Sequence, residues 1–204
     1  NVGKSSLFNA LLGVQKASAE NYPFCTIEPN IGKVPIPDNR LDILAKISNS
    51  KNIIQAQMEF VDIAGLVKGA SKGEGLGNKF LGNIREVDAI AHVVRCFENK
   101  DIVHVNGSID PISDIEIIEA ELLIADIDNI NKQIVKLEKD IKSGKKEYIK
   151  IVETAKIIHN ELEKGILAKN ISLDKVKLKI LNSFKLLTSK PTFYIANVDE
   201  ESII

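Results

Sequence analysis

Asn1-Val2-Gly3-Lys4-Ser5-Ser6 opens the chain and matches the second half of the phosphate-binding loop G-x-x-x-x-G-K-[ST], and an apolar helical pattern follows it directly. A glycine here lets the backbone approach a phosphate, and the free amides at the start of a helix point at the anion. In the complete loop the lysine reaches the β- and γ-phosphates, and the next hydroxyl group holds Mg²⁺. The half-motif predicts a nucleotide-contacting segment made of Asn1, Val2, Gly3, Lys4, Ser5 and Ser6. A chance Gly-Lys-Ser before a helix is the alternative at this point.

Two later segments fit the same chemistry. Residues 58–65 form an apolar run that ends in Asp-x-x-Gly. In a P-loop NTPase this aspartate binds Mg²⁺ through water, and the glycine amide meets the γ-phosphate. A threonine within residues 23–30, between the two motifs, can close over Mg²⁺ when the γ-phosphate is present, which is the ordering step of a nucleotide switch. The three segments together predict metal ligands at Ser5, Thr26 and Asp62 and catalytic roles for Lys4 and Gly65.

Short apolar runs separated by helical patterns indicate the fold class. The runs cover residues 31–36, 58–63, 89–97 and 192–196. Runs of this length and composition are typical of buried parallel strands. The sequence therefore predicts an α/β fold, a P-loop NTPase G domain with a mostly parallel sheet.

Residues 114–166 carry a different pattern, a heptad repeat with one break. Apolar residues recur at spacings of 4, 3, 4, 3, 4 over residues 123–141 and again over 148–166, on either side of a glycine-containing turn. This pattern predicts an antiparallel coiled-coil helical hairpin, because neither helix can bury its stripe alone. In this interpretation His159 occupies a seam position, and a further helix covers residues 174–187.

Charge divides the chain at nearly the same places. Residues 1–127 carry a net charge of −5, residues 128–187 carry +6, and residues 188–204 carry −2. We therefore predict a first part of the G domain at 1–125, a helical coiled-coil insertion at 126–187, and the resumed G domain at 188–204. Lysines cluster toward the predicted hairpin tip, at Lys132, Lys136, Lys139, Lys142, Lys145 and Lys146. A contact with RNA phosphates and a solvated coiled-coil face are both open interpretations of this cluster.

Composition excludes several classes of protein. Hydrophobic residues make up 44% and charged residues 27%, which excludes wholesale disorder. No run of about 18 apolar residues is present, so we expect no membrane partner. The two cysteines lie far apart and no secretory signal precedes them, which favours a reducing cytoplasm. The chain does not begin with Met and opens inside a motif, so we expect a fragment.

Long stretches of the chain resemble one known family. Residues 62–78 look like the second switch of Obg-related P-loop NTPases, and residues 23–30, 92–97 and 197–200 narrow the resemblance to the Obg-like ATPase, or YchF, family. The resemblance covers the whole chain. It implies a G domain interrupted by a coiled-coil hairpin and followed by a TGS domain, which we expect this fragment to lack. It also implies a cytoplasmic ATPase that acts with the ribosome and contacts the ribosome through the basic insertion. We expect a monomer without DNA sequence specificity.

The preferred base follows from Asn197-Val198-Asp199-Glu200. Ordinary GTPases use Asn-Lys-x-Asp, whose aspartate accepts two hydrogen bonds from guanine. Glu200 stands at that place and Val198 replaces the lysine, so guanine's donors are poorly met, at a cost of about 1–3 kcal/mol for each unpaired group. Asn197 can still offer its amide to adenine. The cofactor-binding residues here are Asn197, Val198 and Glu200, with ATP preferred over GTP. A degenerate loop without base contact is the alternative.

The residues available for hydrolysis depart from the Ras-like pattern. Leu66 stands where Ras-like enzymes have the glutamine that orients the attacking water. The resemblance implies a catalytic histidine in the loop after the third apolar run, which is His104 here; a solvated loop histidine is the alternative. Asn1 resembles an asparagine that is linked to K⁺ binding in some relatives.

Three functions remain open at this stage. The first is a ribosome-associated ATPase switch that uses Mg²⁺, with slow intrinsic turnover. The second is an Obg-type GTPase, against which Glu200 argues. The third is a nucleotide-gated binding module with negligible turnover, which Leu66 favours.

Overall fold

The structure is a computed structural model that describes residues 2–13, 30–63, 76–98 and 110–202, with the backbone alone described for residues 76–78. The chain divides into two compact units. We call Gly3–Ala64 the N-terminal unit, and Asn1–Val2 with Gly65–Ile204 the larger unit. The helices are α1 (Lys4–Leu12), α2 (Asn39–Ser48), α3 (Leu76–Glu86), α4 (Pro111–Lys142), α5 (Ile149–Glu163) and α6 (Lys175–Ser183). The strands are β1 (Asn30–Pro35), β2 (Gln57–Asp62), β3 (Ile90–Arg95) and β4 (Thr192–Asn197).

In the N-terminal unit, α1 packs against a two-stranded sheet made of β1 and β2. The helix buries Phe8 and ends at Gly13, whose φ of 64° is a left-handed conformation that glycine adopts without strain. A side chain at Gly32 of β1 would overlap Leu12, so the close approach of α1 to this strand needs a glycine. The two strands are antiparallel, with Asn30 opposite Asp62. The sequence pattern predicts parallel strands for both runs, and this prediction is wrong for this pair, because apolar composition and periodicity give no strand direction.

In the larger unit, β3 and β4 pair in parallel, as the sequence predicts for this part of the sheet. Ile90 lies opposite Thr192, and Arg95 lies opposite Asn197. The main-chain amide of Cys96 also donates to the carbonyl of Asn197 at 2.8 Å, so the pairing continues to the carboxyl end of β4. The P-loop NTPase fold class predicted from the motifs agrees with this mixed α/β architecture.

Helices α4 and α5 form the predicted hairpin, and its apolar core lies between them. Helix α4 begins after the N-cap Asp110 and continues without a break for 32 residues, through the predicted domain boundary at residues 125 and 126. Gly144, with φ of 102°, turns the chain between the two helices. The buried residues of the two helices in this core are Ile130, Ile134, Val152, Ala155, Ile158 and Leu162.

Two details of the helical region differ from the sequence prediction. Ile158 occupies the seam position that the heptad count gives to His159, and His159 lies beside it, 3.5 Å from Glu163. Helix α6 ends at Ser183 instead of continuing to residue 187, because Lys185 adopts a left-handed φ of 49°. Within the described ranges, none of the helices combines the length and apolarity that crossing a bilayer needs.

Candidate nucleotide-binding site

A cluster of three side chains lies at the start of α1 and the end of β2. Asp62 is buried, with 6% of its surface exposed. Its Oδ1 accepts a hydrogen bond from the Lys4 ammonium, and its Oδ2 accepts one from the Ser5 hydroxyl at 3.0 Å. The structure therefore brings together residues of the two motifs that the sequence assigned to one site, although 57 positions separate Ser5 from Asp62.

The local backbone explains how α1 presents this end to a ligand. Gly3 caps the helix with φ of 89°, a left-handed conformation that disfavours any residue with a Cβ atom. Unlike a serine or aspartate cap, Gly3 has no side chain that could accept from the first amides of the helix. These amides and the helix dipole therefore remain available to an anion. Ser6 is exposed on the first turn.

The donor set fits Mg²⁺ chemistry. Mg²⁺ prefers oxygen ligands and is held in NTPase sites by one or two protein oxygens together with phosphates and water. The Ser5 hydroxyl and the Asp62 carboxylate lie within hydrogen-bonding distance and supply oxygens of this kind. No group of three or more His, Cys, Asp or Glu side chains suited to a metal occurs among the described residues. A site completed by phosphates does not need such a group.

The carboxyl end of β4 holds the predicted base-recognition residues, in the larger unit. The side-chain amide of Asn197 donates to the main-chain carbonyl of Val2 at 2.9 Å. The carboxylate of Asp199 accepts from the main-chain amide of Ser202 at 2.9 Å and from its hydroxyl, so it caps its own turn. Glu200 is exposed at the start of that turn, and Val198 is partly buried. Of these two neighbouring acids, Asp199 uses its carboxylate within the turn, whereas the side chain of Glu200 is exposed.

Several predicted site residues lie outside the described part of the chain. They are Asn1, Thr26, Gly65 and His104, together with Leu66 beside the Asp-x-x-Gly motif. Their roles stay predictions.

Sequence reasoning missed one polar contact before β4, the strand that leads to the predicted base loop. Asp126 of α4 is fully buried and accepts hydrogen bonds from Leu187 and Thr188, which lie shortly before β4. No motif signals this contact. In the sequence Asp126 is indistinguishable from the other acidic residues of its helix, and its partners lie 61 and 62 positions away. Burial raises the pKa of the Asp126 carboxyl, and the hydrogen bonds from Thr188 and Leu187 oppose that rise.

Comparisons with known proteins agree with the resemblance. The family model described as 50S ribosome-binding GTPase matches residues 1–198. The chain is 57% identical over 204 residues to the ribosome-binding ATPase YchF of Haemophilus ducreyi, covering 99% of this chain and 55% of that protein. It is 47% identical over 203 residues to the ribosome-binding ATPase YchF of Bacillus subtilis, covering 100% of this chain and 55% of that protein.

A solved structure also matches. The YchF GTPase of Schizosaccharomyces pombe superposes with a TM-score of 0.74 at 38% identity, covering 98% of this chain and 55% of that one. The chain spans about half the length of the curated relatives it matches. The motifs at residues 1–6 and 62–78, the fold and these similarities lead to one conclusion: the chain belongs to the YchF family, within the 50S ribosome-binding GTPases.

Proposed function

We propose that the protein is a ribosome-associated, Mg²⁺-dependent nucleotide switch that binds ATP in preference to GTP and hydrolyses it slowly. The observation that carries this proposal is the Asp62 carboxylate, which accepts from both Lys4 and Ser5. A buried acid beside the lysine and hydroxyl of a phosphate loop is the arrangement that P-loop NTPases use for a metal-bound triphosphate. The names of the relatives, which include both ATPase and GTPase, support a nucleotide hydrolase.

Each residue of the cluster has a distinct task in this proposal. Lys4, one third exposed, exchanges its partner Asp62 for the β- and γ-phosphates. Ser5 and Asp62 hold Mg²⁺, which neutralises phosphate charge when it is bound. The amides at the start of α1 hold the phosphate oxygens. We assign sensing of the γ-phosphate to Thr26 and Gly65 from the sequence motifs.

Base choice depends on the residues after β4 in this proposal. Glu200→Asp, which moves the carboxylate back by one methylene, is expected to raise the affinity for GTP relative to ATP by about tenfold. That change corresponds to one recovered hydrogen bond of about 1.4 kcal/mol. Isothermal titration calorimetry of both nucleotides with Mg²⁺, on the wild-type and variant full-length proteins, measures it. Asp199→Glu is unsuitable as a control because Asp199 caps the adjacent turn; Glu201→Asp, one position further on, is the matched control. Equal wild-type affinities for ATP and GTP would contradict the proposal.

Water activation is assigned to His104 because Leu66 has no polar atom that could orient a water. His104→Ala is expected to lower ATP turnover about 100-fold, within the range for a positioned acid or base, without weakening ATP binding. Single-turnover hydrolysis and equilibrium binding separate the two effects. Unchanged turnover would remove His104 from the mechanism.

The basic hairpin is proposed as the surface that meets ribosomal RNA. In the structure, Lys132 pairs with Asp128, and Lys145 pairs with Asp140. Lys136, Lys139 and Lys146 are exposed and form no ion pair within the described part of the chain. The Lys142 ammonium group is attracted by the Glu138 carboxylate, which also pairs with Lys156. Of the six clustered lysines, Lys136, Lys139 and Lys146 are therefore the three proposed to neutralise phosphates.

Replacing Lys136, Lys139 and Lys146 by Glu is expected to abolish most ribosome association and to reduce its dependence on salt, because about three phosphate contacts are lost. Ribosome co-sedimentation over a series of KCl concentrations measures both effects. The variant with Lys51→Glu, Lys175→Glu and Lys179→Glu, at three exposed positions outside the hairpin helices, changes the net charge by the same amount and is the control. Equal binding by the two sets of variants would contradict the assignment.

Turnover of ATP and GTP by the full-length protein, with and without ribosomes, tests the function as a whole. We expect slow ATP turnover that ribosomes accelerate. Faster GTP than ATP turnover would favour the Obg-type GTPase, and tight ATP binding with no turnover under either condition would favour the binding module. We also propose a monomer located in the cytoplasm, and a comparison of K⁺ with Na⁺ in the same assay tests the role suggested for Asn1.

A further inference from the structure

The chain returns from the helical hairpin to the sheet through a short segment, residues 187–191, which we call the junction. Asp126 of α4 is 0% exposed and binds the start of the junction. It accepts from the main-chain amides of Leu187 and Thr188, both at 2.8 Å, and from the Thr188 hydroxyl at 2.7 Å. One buried carboxylate therefore holds three donors. Removing it would leave two buried amides without an acceptor, which packing alone does not replace.

The remaining contacts of the junction link it to three further elements. The Thr188 hydroxyl oxygen also accepts from the amide of Ala168 at 3.0 Å, in the turn that follows the hairpin. Lys190 donates to the carbonyls of Arg85, at 3.1 Å, and Val87, at the carboxyl end of α3. The carbonyl of Pro191 accepts from the amide of Ile90, the first residue of β3. The junction therefore has a fixed position relative to α4, α3 and β3.

Helix α4 is tied to β4 a second time, further along the strand. The Tyr194 hydroxyl donates to the Glu119 carboxylate at 2.7 Å, and this bond is the largest contribution that raises the pKa of Tyr194 to about 12. Glu119 also lies 3.6 Å from the ammonium group of Lys169. One tie holds the junction directly before β4 and the other holds β4 itself, both to one continuous helix, so together they oppose sliding of β4 along its axis.

The position of β4 determines where the predicted base loop begins. Asn197 is the last residue of β4 and lies opposite Arg95 of β3, and its side-chain amide donates a hydrogen bond to the carbonyl of Val2. Thr188 and Asn197 are only nine positions apart. Residues 192–197 form β4, and Pro191, directly before the strand, is hydrogen-bonded to Ile90 of β3. A shift at the start of β4 is therefore carried along a hydrogen-bonded strand to Asn197 and to Glu200 beyond it.

We propose that Asp126 is a positioning residue for nucleotide-base recognition. It fixes the junction that leads into β4, and the strand in turn sets the positions of Asn197 and Glu200. This inference rests on the proposed function, in which those two residues meet the base. It assigns a role in nucleotide selectivity to a residue of the hairpin's first helix.

Two substitutions test the inference in the full-length protein. Thr188→Val keeps the shape of the side chain but removes the hydroxyl, and Thr188→Ser retains it. Asp126→Asn replaces one carboxylate oxygen by an NH₂ group, which then faces a main-chain amide that also donates. Asp128→Asn, two positions along the same helix and exposed, is the matched control. Equilibrium Kd values for ATP and for GTP with Mg²⁺ are measured at a temperature well below the lowest thermal unfolding midpoint of these variants, so that every variant is folded.

Asp126→Asn and Thr188→Val are expected to weaken ATP binding about three- to tenfold and to bring the ATP and GTP affinities closer together, within the range by which positioning residues modulate coupling. Thr188→Ser and Asp128→Asn should leave both values unchanged. A lower unfolding midpoint with unchanged Kd values and an unchanged ATP-to-GTP ratio would show a purely structural role and overturn the inference. If Asp126→Asn does not fold, Thr188→Val decides alone. A wild-type protein that binds neither nucleotide would overturn the proposed function and, with it, this inference.

Discussion

Lys4→Ala is expected to lower the ATP turnover of the full-length protein by at least about 100-fold, the cost of losing one group that stabilises transition-state charge. Two effects act together. The ammonium group that reaches the phosphates is lost, and the site loses one positive charge close to the buried Asp62 carboxylate. The charge that faces the triphosphate is therefore more negative than in the wild type. ATP affinity should fall with turnover, because both effects act on the bound triphosphate before hydrolysis.

Steady-state turnover with Mg²⁺, with and without ribosomes, and equilibrium ATP binding measure the effect of this substitution. Lys51→Ala is the matched control, since Lys51 is an exposed lysine of the same unit outside the motif. It should remain within about threefold of the wild type, as expected for a surface change away from the site. Turnover by a folded Lys4→Ala variant within tenfold of the wild type would contradict the assignment of Lys4 to the phosphates.

Ile158→Ala is expected to destabilise the protein by about 2–5 kcal/mol, whereas Ile157→Ala should cost less than about 1 kcal/mol. The two residues are neighbours of the same type on α5. Ile158 is 0% exposed in the core between α4 and α5, and Ile157 is 41% exposed. Truncation at Ile158 removes buried apolar surface and leaves a cavity, whereas truncation at Ile157 removes surface that water already reaches.

Urea unfolding monitored by circular dichroism measures both free energies of unfolding. Because the two substitutions are chemically identical and adjacent, helix propensity changes equally and cancels in the comparison. A similar loss for both variants would mean that Ile158 does not face the core, and would favour the seam at His159 that the heptad count predicts.

The sequence motifs assign Lys4, Ser5 and Asp62 to one site because each motif ties a functional side chain to the end of an element. A helix that begins after Gly3 places Lys4 and Ser5 on its first turn, and a strand that ends at Asp62 presents the carboxylate at its carboxyl edge. Local rules of this kind apply before any tertiary contact is known. The parallel pairing of β3 with β4 agrees with the prediction made from the apolar runs.

The sequence did not predict features that depend on contacts between distant parts of the chain. The choice between Ile158 and His159 depends on how α5 rotates against α4, and both residues fit a spacing of three or four. The early end of α6 accompanies the capture of the Leu187 and Thr188 amides by Asp126, which no local pattern indicates. The antiparallel direction of β1 and β2 is signalled neither by the composition of the strands nor by their connection, since residues 36–56 contain α2 and are long enough for a parallel crossover as well.

The continuity of α4 gives the larger unit a mechanical property. Asp126 and Lys142 lie on one unbroken helix, about 24 Å apart at 1.5 Å per residue. A helix anchored at Asp126 behaves as a lever arm, so that a rotation of about 5° at the anchor displaces the far end by about 2 Å. Rotations of that size leave hydrogen bonds intact. A force applied at the lysine-rich end therefore produces a torque at the Asp126 anchor, and this torque is proportional to the length of helix between them.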